Sequence, residues 1–505
     1  MLPVKRLKVI PIHRVTYKTA TILLLLTTAA FLIHGYHPYA EDAEIYLPGI
    51  EHTLNPALFP VGQEYFQSHA SMTWFPNLVA LFERGTHLPF EVVLLLWQAA
   101  SIFLLLLACW RLSGILFDTA RARWAAVCLV TALLTIPVAG TALYIVDQYL
   151  NPRNLAAFAA VFTVVEVLQR KYLLALIWIV FAAIVHPLMW VFPFSFTALW
   201  IVLEQIERRE GIAILSGRAA ALMGSLVLIG IPLSQPPPAY HQSALRHTYF
   251  YIQDWAWYET LGAVAPLALL WWFGRIAARR GWSTMERACR AFAIYGAIYL
   301  LVALVLDIPA RFESLARIQP LRSLLLLYVF MFICIGGLVG EYVLRGRVWR
   351  WLVLFVPLSI GMFAAQRALF PASAHLELPG RAAKNPWAQA FYWIRENTPL
   401  DALFAIDPKY MSVPGEDAVG FRCLAQRSRL ADVPKDGGVV SMFPQLANDW
   451  WQQVQAQTPW KSFQAADFER LRKSYGVGWV VVQQPGVPGL SCPYQNGVVL
   501  VCRTP

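Results

Sequence analysis

Glu41, Asp42 and Glu44 are the residues in this chain whose types and spacing most readily suggest chemistry; they follow directly on the apolar run 19–33. A carboxylate at the water-membrane boundary can take a proton from a hydroxyl or hold a metal ion, so Asp42, with Glu41 or Glu44, is a candidate general base or metal ligand. The same acids would also suit the first turn of a helix, where they favour the dipole and cap free N–H groups with no chemistry. Pro38 interrupts what precedes them, and Ile45, Ile50 and Leu54 recur at near-helical spacing. A short amphipathic helix lying at the membrane surface is therefore expected over the acids.

Four other places carry polar groups that fit lipid poorly. They are Asp147 and Arg153 in DQYLNPR, His186 before Pro187, Trp255 and Trp257 in DWAWYE, and Arg317 and Arg322 in RIQPLR. Each has a plain structural use. Asp147 could cap the helix after Pro152, Arg153 could snorkel to headgroups, and His186 could be a packed helix-end histidine. The tryptophans could form an interfacial belt, and the arginines could hold lipid headgroups. Ionisable groups at membrane depth are costly, so convergence of several separate loops on one face would be more informative than any single residue.

The elements that must position these groups are membrane helices. With 505 residues, 58% of them hydrophobic and only 14% charged, the composition excludes an ordinary soluble globule and fits a polytopic membrane protein. Eleven apolar runs are expected to span, centred near Leu26, Leu104, Thr135, Val161, Phe181, Phe196, Leu226, Leu267, Tyr299, Phe330 and Gly361. Basic clusters at 111–123, 170–171, 208–218, 275–290 and 345–350 alternate with the acidic and aromatic loops. The net charge of +11 is thus a topology signal that places the N-terminus in the cytoplasm, and not a nucleic-acid surface. Basic residues 5–18 ahead of the first run, with no clean small-x-small site after it, point to an uncleaved signal-anchor helix.

After Phe370 the spanning runs stop and charges and prolines become frequent. Two units follow: a transmembrane part, 1–370, with an external acidic loop at 34–87, and a small extracytoplasmic α/β domain at 371–505. In the second unit, helices are expected over 385–398, 443–457 and 465–475, and strands over 402–406, 478–483 and 498–501. It contains no glycine-rich phosphate loop, CxxC pair or nucleophile elbow, so a covering or acceptor-recognising role is expected of it. Cys492 and Cys502 flank Asn496-Gly497, a hairpin turn signal, and are expected to form a disulfide that leaves Cys423 free.

Taken together, the pattern resembles the GT-C class of membrane glycosyltransferases. The features that carry the resemblance are a first span followed by Glu41-Asp42-Ala43-Glu44, many further spans, and a C-terminal extracytoplasmic domain. The segments DQYLNPRNLA, IVHPLMW, DWAWYETLGAVAP, RIQPLRS and WIRENTPLDALFAIDP also look like uncharacterised bacterial membrane proteins of that kind. The resemblance implies an α-helical polytopic GT-C-like fold in the bacterial inner membrane. It implies transfer of a sugar from a polyprenyl-phosphate donor to a saccharide, lipid or protein acceptor, with Asp42, Glu41 or Glu44 as the catalytic or metal-binding acid. No Asp-x-Asp is present, so a divalent metal ion stays an open expectation. Arg153, Arg317 and Arg322 are the candidates for the phosphate, with Asp147, His186, Trp255 and Trp257 completing the substrate site. A transporter or flippase of a lipid-linked saccharide, or a non-catalytic envelope assembly protein, is the alternative. One shared outer pocket would favour the enzyme, a path at the midplane transport, and scattered sites assembly.

Overall fold

The structure, a computed structural model, describes residues 15–207, 237–244, 247–307, 315 and 317–505. Helix α1 (Tyr17–His34) starts at Thr16, whose hydroxyl accepts the Thr19 N–H, and stops at Gly35, where φ is 82°. The acidic segment follows, then α2 (Ala43–Leu54), α3 (Glu64–Ala70) and α4 (Phe75–Thr86). The apolar bundle continues with α5 (Phe90–Leu116), α6 (Ala120–Ala132), α7 (Pro152–Leu168), α8 (Tyr172–Val185) and α9 (Val191–Glu207). The short α10 (Pro238–Ala244) precedes α11 (Trp257–Arg280), α12 (Ser283–Asp307), α13 (Leu324–Val339) and α14 (Val348–Leu369).

Among the described residues six segments are long and apolar enough to cross a bilayer: α1, α5, α11, α12, α14 and the stretch Pro320–Leu344 that contains α13. The chain is a multi-pass membrane protein. Helices α6 to α9 are shorter, and every residue of α7 is buried, so α7 runs through the centre of the bundle. The run expected near Leu226 lies outside the described residues. The one expected near Thr135 is not a continuous helix. Helix α6 ends at Ala132, and 133–151, with Pro137 and Gly140, folds as turns whose Val138, Leu143, Ile145 and Val146 are buried. Helix α6 lies tightly on α13 because Gly336 and Gly340 leave room: a Cβ on Gly336 would fall 2.6 Å from Ala126 Cα. At the basic end of the bundle Arg121 pairs with Glu341 and Arg287 with Glu207.

The C-terminal unit holds helices α15 (Pro386–Asn397), α16 (Phe421–Ala425), α17 (Lys435–Met442), α18 (Ala447–Ala456) and α19 (Ala465–Tyr475). Its strands are β1 (Leu403–Ile406), β2 (Ser428–Arg429), β3 (Trp479–Gln483), β4 (Ser491–Gln495) and β5 (Val499–Arg503). They form one sheet in the order β2-β1-β3-β5-β4, with β1 parallel to β2 and β3, and β5 antiparallel to β3 and β4. Alternation gives the sheet two apolar faces. Leu403, Ala405, Val480 and Val482 meet Phe468 and Leu471 of α19. Phe404, Ile406, Val481 and Val499 belong with α15 to the same apolar core as the membrane bundle. Cys492 and Cys502 are joined across the β4-β5 hairpin, and Cys423 is free and buried.

The domain grips the acidic segment through its backbone. Tyr36 N–H donates to His375 O at 2.9 Å, Glu377 N–H to Tyr36 O at 3.0 Å, Glu41 N–H to Ala418 O at 2.7 Å, and Gly420 N–H to Tyr39 O at 2.7 Å. Helix α2 consequently does not lie at a membrane surface as its periodicity suggests. Glu44, Leu47, Ile50 and Glu51 are all buried, because the domain packs over them. Helix α4 has the exposed apolar face instead, with Leu81 and Phe82 open.

Candidate active site

Helix α7 supplies the first cation of the site. Asn151 caps it by accepting the Asn154 N–H at 3.0 Å, and Pro152 takes the first helical position, which fixes Arg153 in the first turn. Asp147 is therefore not the cap. Its carboxylate accepts from Asn151 and, at 3.1 Å, from Arg153 Nη2. Arg153 Nη1 donates to Asp42 Oδ2 at 2.8 Å, so one guanidinium forks between two carboxylates from different loops.

Asp42 meets a second cation that the sequence reading did not select. Lys435 Nζ donates to Asp42 Oδ1 at 2.9 Å and also to Glu41. Burial alone would raise the Asp42 pKa, but Lys435 and Arg153 outweigh it and hold the carboxyl far below the usual carboxylate range. Burial likewise opposes the charge on Lys435, and Asp42 and Glu41 overcome it and hold the ammonium above its ordinary range. The Asp42 N–H donates to the Tyr149 hydroxyl at 3.3 Å. Glu41 takes a left-handed backbone, φ 54°, next to a right-handed Asp42, and both side chains end on the same ammonium.

The position of Lys435 is set by a buried ionic cluster. Arg429 bonds Glu44 Oε1 at 2.9 Å and Asp432 Oδ2 at 2.6 Å, and Arg422 bonds both oxygens of Asp436 at 2.7 and 3.0 Å. Asp432 Oδ1 then accepts the N–H groups of Lys435 and Asp436, which starts α17. Burial pushes Asp432 up to about 6 against the pull of Arg429. Glu44, expected as a member of the catalytic acids, is placed here, 1% exposed, and accepts the Cys423 N–H at 3.2 Å. It ties α2 to the domain and does not face the site.

Asp42, Glu41, Asp147, Arg153, His186, Arg322 and Lys435 all line one cavity of about 1020 Å³. His186 Nδ1 accepts the N–H groups of Leu188 and Met189 at 3.2 and 3.3 Å, so Nε2 carries the proton. Burial, then Arg322 and Arg153, hold this imidazole neutral. His69 is also in the wall, and burial holds it down at about 4. Arg322 sits in the 3-10 turn Pro320–Ser323 before α13 and has a buried, unpartnered Nε; among the described residues no carboxylate pairs with it. The cavity thus combines paired carboxylates with a guanidinium that has no carboxylate of its own among the described residues.

The remaining expected residues fall elsewhere. Arg317 lies in the turn ahead of Pro320 and is not in the cavity wall. Trp257 stands at the start of α11, 77% exposed, and does not reach the cavity. Trp255 backs the wall from behind: a Cβ on Gly140, which lines the cavity, would fall 2.5 Å from the indole. Tyr149 and Tyr249 line the cavity without having been singled out, and Glu259 of DWAWYE lines it with them. Lys435 had a local signal, Asp432 ahead of a helix start, but nothing in the sequence ties it to Glu41, 394 residues away. Among the described residues no three His, Cys, Asp or Glu side chains converge as a metal set. The two adjacent carboxylates that could begin one already share Lys435, so a divalent ion does not fit this arrangement. A separate cavity of about 1460 Å³, walled by Tyr36, Tyr39, Tyr392 and Glu377, holds none of the expected residues.

No protein family and no curated protein matches the chain by sequence. In structure it is similar to the archaeal oligosaccharyltransferase AglB from Archaeoglobus fulgidus in complex with an inhibitory peptide and a dolichol-phosphate, at 13% identity and TM-score 0.48, covering 92% of this chain and 69% of that one. It is also similar to the arabinofuranosyltransferase AftD from Mycobacteria, at 16% identity and TM-score 0.44, covering 96% of this chain. The chain spans about two fifths of the length of AftD, 39% in that structure and 41% in one of a mutant form, where the TM-score is 0.46.

Proposed function

We propose that this protein transfers a sugar from a polyprenyl-phosphate-linked donor to an acceptor hydroxyl on the outer face of the bacterial inner membrane. The observation that carries the reading is the meeting of Asp42 with Arg322 in one cavity at the acidic-loop end of the bundle. Transfer needs a carboxylate at the acceptor hydroxyl and cations at the departing phosphate. Arg322, with no carboxylate of its own among the described residues, takes the phosphate, and Arg153 supports it. The bond from the sugar's anomeric carbon to the phosphate oxygen breaks, its electron pair stays on the phosphate, and the acceptor oxygen bonds to that carbon. The hydroxyl proton goes to Asp42.

Two bonded cations make Asp42 a weak base as it stands. A phosphate against Arg153 and Arg322 offsets their charge and raises the proton affinity of the carboxylate toward the working range. His186, with Nε2–H available, supplies a neutral donor to the sugar or phosphate.

The test is transfer from a polyprenyl-phosphate sugar in membranes carrying equal amounts of wild type or Asp42→Asn. Asparagine keeps size and hydrogen bonding but takes no proton, so a loss of at least about two orders of magnitude in rate is expected with folding intact. Unchanged transfer by the variant would remove Asp42 as base. No transfer by the wild type with any polyprenyl donor would overturn the enzymatic reading in favour of transport.

A further inference from the structure

Adjacent carboxylates at a phosphate-handling site ordinarily invite a divalent cation, which would bridge them and steady the negative charge of the substrate. Here the bridging position is taken by the protein itself. Lys435 Nζ reaches one oxygen of Glu41 and, at 2.9 Å, Oδ1 of Asp42, while Arg153 occupies Oδ2 of Asp42 and reaches across to Asp147. Three carboxylates thereby face two cations, and Arg322 in the same cavity brings the third. A divalent ion added to this set would sit beside an ammonium and two guanidiniums, with each of the three carboxylates already paired.

Lys435 is also not a flexible surface lysine that happens to lie near acids. Its side chain is 12% exposed, its backbone N–H is bonded to Asp432, and Asp432 is bonded to Arg429, which is bonded to Glu44 of α2. The ammonium is held from both ends: by the acids of the loop at its tip, and through Asp432 and Arg429 by the same stretch of chain at its root. A cation fixed this way needs no reorganisation when a substrate arrives.

We infer that the Lys435 ammonium stands in for a divalent metal ion at the Glu41-Asp42 pair, so that the site works without one, and that removing this ammonium turns the pair into a metal-binding site. The inference deepens the reading of the cavity as a phosphate-sugar site and rests on it for the role of the cation, but its test needs no donor and no turnover.

The probe is Mn2+ alone, titrated into the purified full-length chain in detergent and followed by electron paramagnetic resonance. The wild type is expected to show no Asp42-dependent binding tighter than about 1 mM, the range of weak carboxylate sites. Lys435→Met keeps the apolar stem and drops the charge, and it is expected to gain at least about tenfold in Mn2+ affinity, a gain that the added Asp42→Asn change abolishes. Its unfolding temperature should rise with Mn2+ and fall with EDTA, whereas that of the wild type stays unchanged. A wild-type Mn2+ site lost in Asp42→Asn would overturn the inference. So would a folded Lys435→Met that gains no affinity. Should Lys435→Met fail to fold, the wild type against Asp42→Asn still decides. Failed sugar transfer with these binding results intact would discard the enzymatic reading and leave the resident cation standing.

Discussion

At the scale of single residues, the ionisable groups near the bilayer were legible because each is expensive there and had to be answered by something. Arg153 pairs with Asp42 and Asp147, and His186 and Arg322 line the same cavity. Aromatic residues carry no such cost, and Trp255 and Trp257 turned out to be a wall support and a surface group. Lys435 was hidden because lysine in a polar domain is unremarkable by type; only its long-range partners mark it. The contrast between the two arginines of RIQPLR is testable. Arg322→Ala is expected to lower transfer at least about a hundredfold, since a hydrogen-bonded charge on the leaving group is removed, and Arg317→Ala should stay within about threefold. Equal losses in the two variants would undo the assignment. The acid side of the pH profile separates the free site from the occupied one. Asp42 in the free protein stays ionised far below its ordinary range, so kcat/KM should show no acid limb from it. With donor bound, its proton affinity rises, so kcat should fall on the acid side, and a kcat flat through that region would speak against Asp42 as the proton acceptor.

At the scale of elements, helix and strand positions in the C-terminal unit followed from local pattern: α15, α19, β1, β3 and β5 lie where periodicity placed them. Helix α2 shows why the rest did not. Its near-helical apolar spacing is real, but the buried face also carries Glu44 and Glu51, which look like solvent residues until Arg429 and Gln426 appear opposite them. Glu51 offers a measurement. Burial pushes it up to about 8, against the bond from Gln426, and its Oε2 is buried without a partner among the described residues. The folded chain therefore keeps a proton that the unfolded chain releases above its ordinary value of about 4.3. This contribution is full below that value and is lost as pH rises toward 8. Glu51→Gln, neutral at every pH, should unfold at the same temperature as wild type near pH 4 and at a higher one at pH 8, a gain on the order of 4 kcal/mol. A variant less stable than wild type at pH 8 would show that Glu51 is ionised in the fold.

For the whole molecule, composition was enough to establish a multi-pass membrane protein, and the alternation of basic loops gave its sidedness as an expectation. The contact between acidic loop and C-terminal unit places both at one end of α1, opposite the end where α1 begins. Single cysteines introduced at Gln455 and near Lys8 should accordingly label with an impermeant thiol reagent from opposite faces of sealed vesicles. Labelling of both from one face would break the map and the site with it. What the sequence could not reveal was how 371–505 is joined to the bundle. One face of its sheet shares the apolar core of the bundle, and its backbone holds the loop that carries Asp42.

That shared backbone also sets an order in time. Glu41 and Asp42 leave the ribosome just after the first helix, and Lys435 follows 394 residues behind Glu41. At about 5–20 residues per second the acids wait on the order of half a minute for their ammonium. Until then Asp42 has Arg153, 111 residues behind it, as its cation, and the cavity wall is complete once Ala418 and Lys435 have been delivered to the same face.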